Sequence, residues 1–517
     1  MSQQTKNFPD SYKNNELDKF FNIKANDFEA ALNINRDINR KALTKALEKN
    51  AKRLKAPKEV FEAIAKLAQD DSKAVLTGQQ AGLLLGPNYT ISKAVSAIKL
   101  AQKLNSEQNN VLAVFWVASQ DHDTEEVDHA YLLDFKEELH KLSVDLPADT
   151  PIGKIALQDS WVEEITNQIS RLGYNEPFLS ESLELITNAA KPSESYSDWF
   201  IAMLYQLLGP YGLIIIDPMQ REVAELFRPI FEAELDKPLE SSRIINKAAA
   251  DLETMGLKAQ IGRAEGASNL FLEQNHSRQL LKFDGKMFYT ADNQYSKEEL
   301  QSILDKNPAA ITPAAGLRPI TQDFILPTVA TVVGPGELAY FSQLKGVFEL
   351  HNVTMPLIQP RLTATVLEPP VVRIMQKFEL DLNDIAQLEK IKQDKLLELS
   401  GYQDIFNENL VDLEKSFESM LNQIKQLDPT LVKTVCKAEI YMQKTHNILK
   451  TKSARALLEK NKVYHNQFKR LENQLLPQGT AQERLLSPFS FFLKFGVENI
   501  IKEFMDLPFE GNFGLEL

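Results

Sequence analysis

The chain has 517 residues, of which 43% are apolar, and this length predicts two or three domains. Its 71 acidic and 58 basic residues give a net charge of -13, which argues against broad nucleic-acid binding. The single cysteine, Cys436, excludes an internal disulfide and a four-cysteine zinc site. With a polar N-terminus and no long apolar run, we expect a soluble, cytoplasmic protein without a membrane span.

The first part of the chain predicts helices that lead into a strand–helix–strand unit. Residues 27–54 are periodic, and Pro57 opens a second helix. Residues 74–76 predict a short strand that enters a Gly-rich turn, and residues 89–104 predict a helix with one apolar face. Residues 111–118 are apolar without alternation, which is typical of a strand buried on both faces of a parallel sheet.

Further strands alternate with helices up to residue 361. Residues 212–217 predict a second buried strand, and residues 220–255 predict helix. Short apolar runs within residues 258–292 indicate a small β-rich insertion, after which residues 324–333 and 355–358 predict the last core strands. The alternation predicts an α/β fold with a doubly wound parallel sheet and insertions.

The chain changes character after residue 370, where apolar side chains recur at alternating spacings of three and four. This coiled-coil pattern is broken at Asp428-Pro429 and resumes up to Pro477, which predicts two long helices in an antiparallel hairpin. We therefore expect a core over residues 1–370, a helical arm over 371–476, and a tail over 477–517 that docks on the core.

The first candidate site follows the first predicted strand and opens a helix. Glycines allow close approach of a ligand, and a helix start offers free N–H groups to an anion. The alternative is a loop that uses glycine for its turns and leaves Lys93 in solvent. The candidate binding residues are Thr77, Gly78, Gln79, Gln80, Gly86, Pro87, Tyr89, Thr90 and Lys93.

The second candidate site, Asp121-His122-Asp123, comes directly after the strand at 111–118. A carboxylate beside an imidazole can raise its basicity and make it a general base. His122 and Asp123, together with Glu126 and His129, could instead bind a divalent metal. A third interpretation is an acidic loop in which Asp123 caps a helix.

The third candidate site is a strand–Gly-Pro-Gly–helix unit. It contributes Gly334, Gly336, Glu337 and Tyr340, and Glu337 could equally serve only as a helix cap. Arg361, at the end of the last predicted strand, could bind a carboxylate or a phosphate.

Together these motifs resemble the cysteine-adding enzymes (cysteine ligases) of bacillithiol biosynthesis across essentially the whole chain. The matching stretches are LTGQQAGLLLGPNYTISKAVSAIKLA, VFWVASQDHDTEEVDH, LRPITQDFILPTVATVVGPGELAYFSQLKGVFE and MPLIQPR. The resemblance implies a Rossmann-type core like that of class I aminoacyl-tRNA synthetases, with a coiled-coil arm that forms a homodimer. The implied reaction joins cysteine to glucosaminyl malate, with Asp121, His122 and Asp123 as catalytic residues and no metal ligand.

The resemblance also implies ATP as the activating co-substrate, by analogy, with residues 86–93 in the place of a phosphate-binding helix start. The chain has no clear His-x-Gly-His or Lys-Met-Ser-Lys-Ser motif, so ATP use is a hypothesis. Gln120 stands where the family usually has Glu. Two alternatives remain open, namely a metal-dependent amide hydrolase and a non-catalytic nucleotide-binding protein.

Overall fold

A computed structural model describes residues 8–274 and 277–517. The chain divides into two compact units. The core unit comprises Met1–Ala364 and Glu483–Leu515, and the arm unit comprises Thr365–Gln482 and Glu516–Leu517. Each unit is described by itself below.

The described residues form mostly helices, interrupted by short strands. The helices are α1 (Phe8–Lys13), α2 (Phe28–Leu32), α3 (Arg40–Arg53), α4 (Lys58–Leu67), α5 (Tyr89–Leu104), α6 (Asp159–Ser170), α7 (Phe178–Ala190), α8 (Tyr196–Leu208), α9 (Arg221–Ala224), α10 (Arg228–Asp236), α11 (Glu240–Thr254), α12 (Lys297–Lys306), α13 (Arg318–Ile325), α14 (Pro335–Phe341), α15 (Lys345–Leu350), α16 (Pro369–Phe378), α17 (Leu388–Leu399), α18 (Gln403–Leu427), α19 (Val432–Lys460), α20 (Lys462–Leu475), α21 (Gln482–Leu485), α22 (Phe489–Phe495) and α23 (Val497–Asp506). The strands are β1 (Ser72–Gln79), β2 (Asn110–Val117), β3 (His129–Leu133), β4 (Leu139–Ser143), β5 (Ile214–Ile216), β6 (Ala267–Gln274), β7 (Ser277–Phe283), β8 (Phe288–Tyr289), β9 (Gln294–Tyr295), β10 (Ile311–Pro313), β11 (Thr328–Val333), β12 (Leu357–Pro360), β13 (Thr363–Leu367) and β14 (Asn512–Glu516).

The core unit is built on a five-stranded sheet in the order β12-β11-β1-β2-β5. All of its pairings are parallel, so the predicted α/β fold with a parallel sheet is confirmed. Seven of the eight residues of β2 and all six of β11 are buried, as expected for strands covered on both faces.

The direction of strand addition reverses beside β1. The chain passes from β1 to β2 and then to β5 on one side, whereas β11 and β12 are added on the other side. Parallel strands end at the same edge, so all three candidate sites follow strands of one sheet edge. Ligands of open α/β sheets bind at the carboxyl ends of the strands where the strand order reverses, which here lies between β1 and β11.

A second five-stranded sheet, in the order β10-β6-β7-β8-β9, is antiparallel in its pairings. We call it the insertion sheet. Its strands begin at Ala267 and end at Pro313, so it runs beyond the β-rich stretch seen in the sequence. The hairpin of β3 and β4 was not predicted.

Three predicted elements differ from the structure. Residues 324–333 are not one strand, because α13 ends at Ile325 and β11 begins only after Pro327, and proline disfavours helix in the residue before it. Residues 27–54 form two helices, since Asn39 caps a new start by accepting from the Ala42 amide. Residues 220–255 form three helices, with one break before Pro229, which stands in the first turn of α10, and another at Pro238.

The arm unit consists mainly of α16 to α20. The predicted break at Asp428-Pro429 is confirmed, because α18 ends at Leu427 and the Asp428 carboxylate accepts from the Thr430 amide at 2.8 Å. The second long helix was predicted to continue to Pro477 but is interrupted at Asn461, which caps α20. No helix in residues 8–274 or 277–517 is long and apolar enough to cross a membrane.

Candidate active site

A pocket of about 410 Å³ opens at the carboxyl edge of the parallel sheet, where β1 and β11 end. Its walls come from the segment after each of these strands, from Asp121 and Glu126 after β2, and from Arg361 after β12. Arg484, in the last part of the core unit, completes it. The pocket therefore lies at the reversal of strand order, where the topology places a ligand.

The pocket brings together most of the residues singled out in the sequence. Those that line it are Thr77, Gly78, Gln79, Gln80, Tyr89, Lys93, Asp121, Gly334, Gly336, Glu337, Tyr340 and Arg361. Five others, Gly86, Pro87, Thr90, His122 and Asp123, are not among the residues that line it.

Gly86 and Thr90 have a structural explanation. Gly86 has φ of 64°, a left-handed conformation that glycine adopts without strain. A Cβ on Gly82 would lie 2.8 Å from the Gly86 Cα, so the two glycines allow the loop to fold back on itself. Thr90 is fully buried and does not line the pocket.

Lys93 is buried and already has partners. Its Nζ lies 2.7 Å from Glu337 Oε2 and donates to the Gly78 carbonyl at 2.9 Å and to Gln79 Oε1 at 3.0 Å. Burial lowers the pKa of Lys93, while the charge of Glu337 acts in the opposite direction. Glu337 also accepts from the Gly334 amide at 2.8 Å, so it caps α14 and lines the pocket at once.

Asp121 pairs with arginines rather than with the neighbouring histidine. Arg318 donates to Asp121 Oδ1, and Arg278 Nη1 lies 3.6 Å from the same oxygen. Tyr340 lines the wall nearby, and burial raises the pKa of its hydroxyl, with the charge of Glu337 adding to the effect. The acidic residue expected to raise the basicity of His122 is thus held by two guanidinium groups.

His122 has a different partner from the one expected. Its Nδ1 lies 3.2 Å from Arg278 Nη1, and its ring centroid lies 5.9 Å from that of Phe271. Burial, and then the charge of Arg278, lower the pKa of His122, against the opposing effect of Asp121 and two further aspartates. The electrostatic setting therefore favours neutral imidazole over a strengthened base.

Tyr89 marks the cationic side of the pocket. Lys93, Arg361 and Arg484 lie 5.8, 5.6 and 5.9 Å from its ring centroid. Arg361 is bound to both carboxylate oxygens of Glu483, at 2.8 and 2.6 Å. Arg484 has no hydrogen bond or ion pair to any residue in the described ranges, so its guanidinium is available to a ligand.

One pocket carboxylate is also without a partner. Asp121 and Glu337 form the ion pairs described above, whereas exposed Glu126 makes no hydrogen bond or ion pair within residues 8–274 and 277–517. Both Glu126 and Arg484 act electrostatically on Tyr89. The pocket thus presents one unpaired negative and one unpaired positive side chain.

Gln120 lies outside the group of pocket residues. Its residue is 1% exposed, and neither side-chain polar atom has a hydrogen-bond partner among the described residues. It does not line the pocket. Gln120, which replaces the Glu usual in the family, is therefore buried outside the pocket lining.

The metal-binding alternative finds no support in the positions of its residues. His129 Nδ1 lies 2.6 Å from Asp128 Oδ1. The sole group of potential metal ligands that converges in the described ranges is Asp134, Glu138 and His140, and these residues do not line the pocket. The predicted ligand set of His122, Asp123, Glu126 and His129 does not come together.

The pocket residues that sequence reasoning missed include Trp116, Gln322 and Arg484. Trp116 lies within β2, where its apolar neighbours suggested only core packing. Gln322 lies in α13, which was not predicted as a helix, and whose last two residues were assigned to the strand at 324–333. Arg484 follows the arm, and no local pattern connects it to the strand ends.

The fold is a Rossmann-like parallel sheet with a pocket at its switch point. A family model for the bacillithiol biosynthesis BshC N-terminal Rossmann-like domain matches residues 1–362. A second model, for the BshC C-terminal coiled-coil domain, matches residues 364–516. The chain belongs to the BshC family of bacillithiol biosynthesis.

Curated relatives cover nearly the whole chain. A protein of Thermus thermophilus is 35% identical over 480 residues, which is 90% of this chain and 92% of the relative. A protein of Geobacillus thermodenitrificans is 30% identical over 482 residues, which is 90% of this chain and 88% of the relative. Both are named, provisionally, cysteine ligase BshC.

Among solved structures, the chain is similar to the arginyl-tRNA synthetase of Thermus thermophilus. The identity is 9%, the coverage is 87% of this chain and 85% of that chain, and the TM-score is 0.19. A likeness at this level carries no argument about ligands or mechanism.

Proposed function

We propose that this chain is a cysteine ligase that joins L-cysteine to glucosaminyl malate and thereby makes bacillithiol. Membership of the BshC family and the names of its relatives support this assignment. One observation connects this assignment to a site. The pocket contains a negative side chain, Glu126, and a positive side chain, Arg484, and neither has an ion-pair partner among the described residues.

These two charges complement the substrates. Both substrates carry an amino group and at least one carboxylate, and a guanidinium binds a carboxylate in a fork geometry. In the proposal, Arg484 binds a substrate carboxylate over the Tyr89 ring. Glu126 binds an amino group and accepts the proton that the attacking amine must lose.

The catalytic roles suggested by the sequence are revised in this proposal. Asp121, His122 and Asp123 were expected to deprotonate the amine, but Asp121 is paired with Arg318 and Asp123 is exposed outside the pocket lining. His122 also lies outside the pocket lining, and we retain it as a candidate group that acts on the substrate.

An amide forms when the amine nitrogen attacks the cysteine carboxyl carbon and one carboxyl oxygen leaves. This departure requires activation, for which a nucleoside triphosphate such as ATP is the class of co-substrate predicted from the sequence. Three pocket cations, Lys93, Arg318 and Arg361, already have carboxylate partners. The remaining cation suits one anionic group rather than a triphosphate, so no pocket residue is assigned to ATP.

The test uses purified full-length protein with cysteine and glucosaminyl malate, with and without ATP, and measures bacillithiol by mass spectrometry. Glu126→Gln and Arg484→Met should each lower kcat/KM roughly 100-fold. The matched controls are Glu125→Gln and Arg171→Met, exposed residues outside the pocket. No product under any condition would refute the assignment, and equal rates with and without ATP would refute ATP use.

The same proposal includes a cytoplasmic homodimer formed through the arm. Large apolar side chains are exposed along α18 and α19, which supports a covered face in a dimer. Light scattering should give twice the mass of 58.5 kDa, and Ile440→Glu should shift it toward the monomer. The exposed side chains include Val411, Met420, Leu427, Ile440, Tyr441 and Leu449.

A further inference from the structure

Arg278 lies on β7 of the insertion sheet and is held in one position. Its Nε donates to Thr312 Oγ1 at 2.8 Å, and its Nη2 donates to the Pro313 carbonyl at 2.9 Å. The guanidinium carbon lies 4.1 Å from the centroid of the Phe271 ring. Its side chain is 4% exposed, so the insertion sheet fixes this guanidinium from two edges and one face.

Nη1 of Arg278, which also lies near Asp121, is directed at His122. The Nη1–Nδ1 separation is 3.2 Å, which is hydrogen-bond distance. A guanidinium has five N–H donors and no acceptor, so the Nδ1 atom must accept. Nδ1 is therefore unprotonated, and the ring proton lies on Nε2. In imidazolium both nitrogens carry hydrogens, and Nδ1–H would then face an N–H of Arg278.

We propose that Arg278 is a positioning residue that fixes His122 as the neutral tautomer with its proton on Nε2. His122 then presents a hydrogen-bond donor, and its one lone pair is occupied by Arg278. It cannot serve as the base that takes a proton from the amine. The proton on Nε2 is then available to the carboxyl oxygen on which negative charge develops, an effect that rests on the proposed function.

Burial and the charges around His122 together favour its neutral imidazole. Asp121, Asp123 and Asp149 favour imidazolium, whereas burial and Arg278 oppose it, and the latter effects are larger. Burial lowers the pKa of Arg278 to about 10, so Arg278 remains charged at neutral pH. A charged donor thus faces Nδ1 throughout the working range.

The direct test is the tautomer of His122 in the wild-type full chain. With histidine labelled by nitrogen-15, proton–nitrogen correlation spectra distinguish a protonated Nε2 from a protonated Nδ1. His122→Gln identifies the His122 signals among those of the seven histidines. The expected result at pH 7 is a protonated Nε2 and an unprotonated Nδ1. A protonated Nδ1, or imidazolium at pH 7, would overturn the proposal, and this measurement needs no variant of Arg278.

A variant series tests the link to catalysis. Arg278→Gln should release the tautomer and lower kcat roughly 100-fold, the cost of a lost oxyanion donor, with little change in KM. Arg278→Lys can still donate to Nδ1, so it should retain part of the Nε2-protonated tautomer and part of the wild-type kcat. Thr312→Val, which removes one contact of Arg278, should give a smaller loss in the same direction. Lys282→Met, exposed on the same strand, is the control and should match the wild type.

The outcomes separate this inference from the proposed function. A protein that makes bacillithiol while Arg278→Gln keeps its kcat and tautomer refutes the inference alone. A wild type with the predicted, Arg278-dependent tautomer but no bacillithiol under any condition refutes the function and leaves the positioning role.

Discussion

Lys93 Nζ and Glu337 Oε2, 2.7 Å apart, join the helix after β1 to the helix after β11. The pair spans the reversal of strand order, and its two members differ in environment. The Lys93 side chain is 5% exposed, whereas that of Glu337 is 31% exposed. Loss of Glu337 leaves the charge of Lys93 buried, whereas loss of Lys93 leaves the charge of Glu337 in contact with water. The two losses should therefore differ in their effect on stability.

We expect Glu337→Gln to destabilise the core unit more than Lys93→Met. The first leaves a buried ammonium without its counter-ion, at a cost of about 3 kcal/mol. The second leaves a carboxylate that reaches water and still caps α14. Urea unfolding of the two variants measures the difference, with the exposed Glu265→Gln as control. A larger loss for Lys93→Met would contradict this account of the pair.

Two glycines of the pocket should respond in opposite ways to alanine. A Cβ at Gly78 would lie 2.7 Å from the Trp116 carbonyl oxygen, whereas a Cβ at Gly336 meets nothing within 4 Å. Gly78→Ala should therefore disrupt the β1–β2 pairing and reduce soluble yield. Gly336→Ala should fold normally and gain roughly 0.5 kcal/mol from helix propensity.

The same Gly336→Ala variant tests whether substrate passes close to this wall. We expect a several-fold higher KM for at least one substrate, without any loss of thermal stability. Steady-state kinetics against each substrate in turn measures it. Unchanged KM values for both substrates would show that the occupant lies away from Gly336.

Asp217 should make stability depend on pH. Burial raises its pKa to about 6, against the hydrogen bond from Ser119. The folded state then binds more protons than the unfolded state between about pH 4 and 6, so the free energy of unfolding falls as pH rises through that window and levels off above it. Asparagine does not ionise, so Asp217→Asn should not show this decrease in the free energy of unfolding, which is about 3 kcal/mol.

The measurement is chemical unfolding at pH 4.5, 5.5, 6.5 and 7.5, spaced roughly one unit apart across the window. The stability of Asp217→Asn relative to wild type should increase with pH and become constant above pH 6. Asp145→Asn, at an exposed position, is the control. A difference that does not change with pH would contradict the assigned pKa.

The Arg361–Glu483 pair should anchor the last segment of the core unit. Its side chains are 4% and 7% exposed, and loss of one partner of such a pair costs roughly 3 to 5 kcal/mol. Glu483→Gln should increase proteolysis within residues 483–515. The matched change Glu498→Gln, at an exposed residue of the same segment, should not. Equal cleavage of both variants would refute the anchoring role.

The sequence predicted the sheet because its strands are short apolar runs that end in glycine, proline or acidic residues. Parallel strands end at one edge of the sheet, and this brings residues of all three candidate sites into one pocket. The prediction failed where an apolar run crossed Pro327, because local composition could not separate α13 from β11.

The electrostatic partners could not be predicted in the same way. Arg278 lies 156 residues from His122, and Arg318 lies 197 residues from Asp121. Neighbouring carboxylates in the sequence suggested a strengthened base at His122. The folded chain instead places a guanidinium at Nδ1, and only tertiary contacts bring it there.

The position of Arg484 has a consequence for synthesis of the chain. The first wall of the pocket is translated by residue 93, but the unpaired arginine follows almost 400 residues later. A nascent chain can form β1, β2 and the helix between them long before that arginine leaves the ribosome. A premature stop within the arm would therefore yield a polypeptide with most of the sheet and no cation free for its ligand. The pocket is complete only after the arm has been translated.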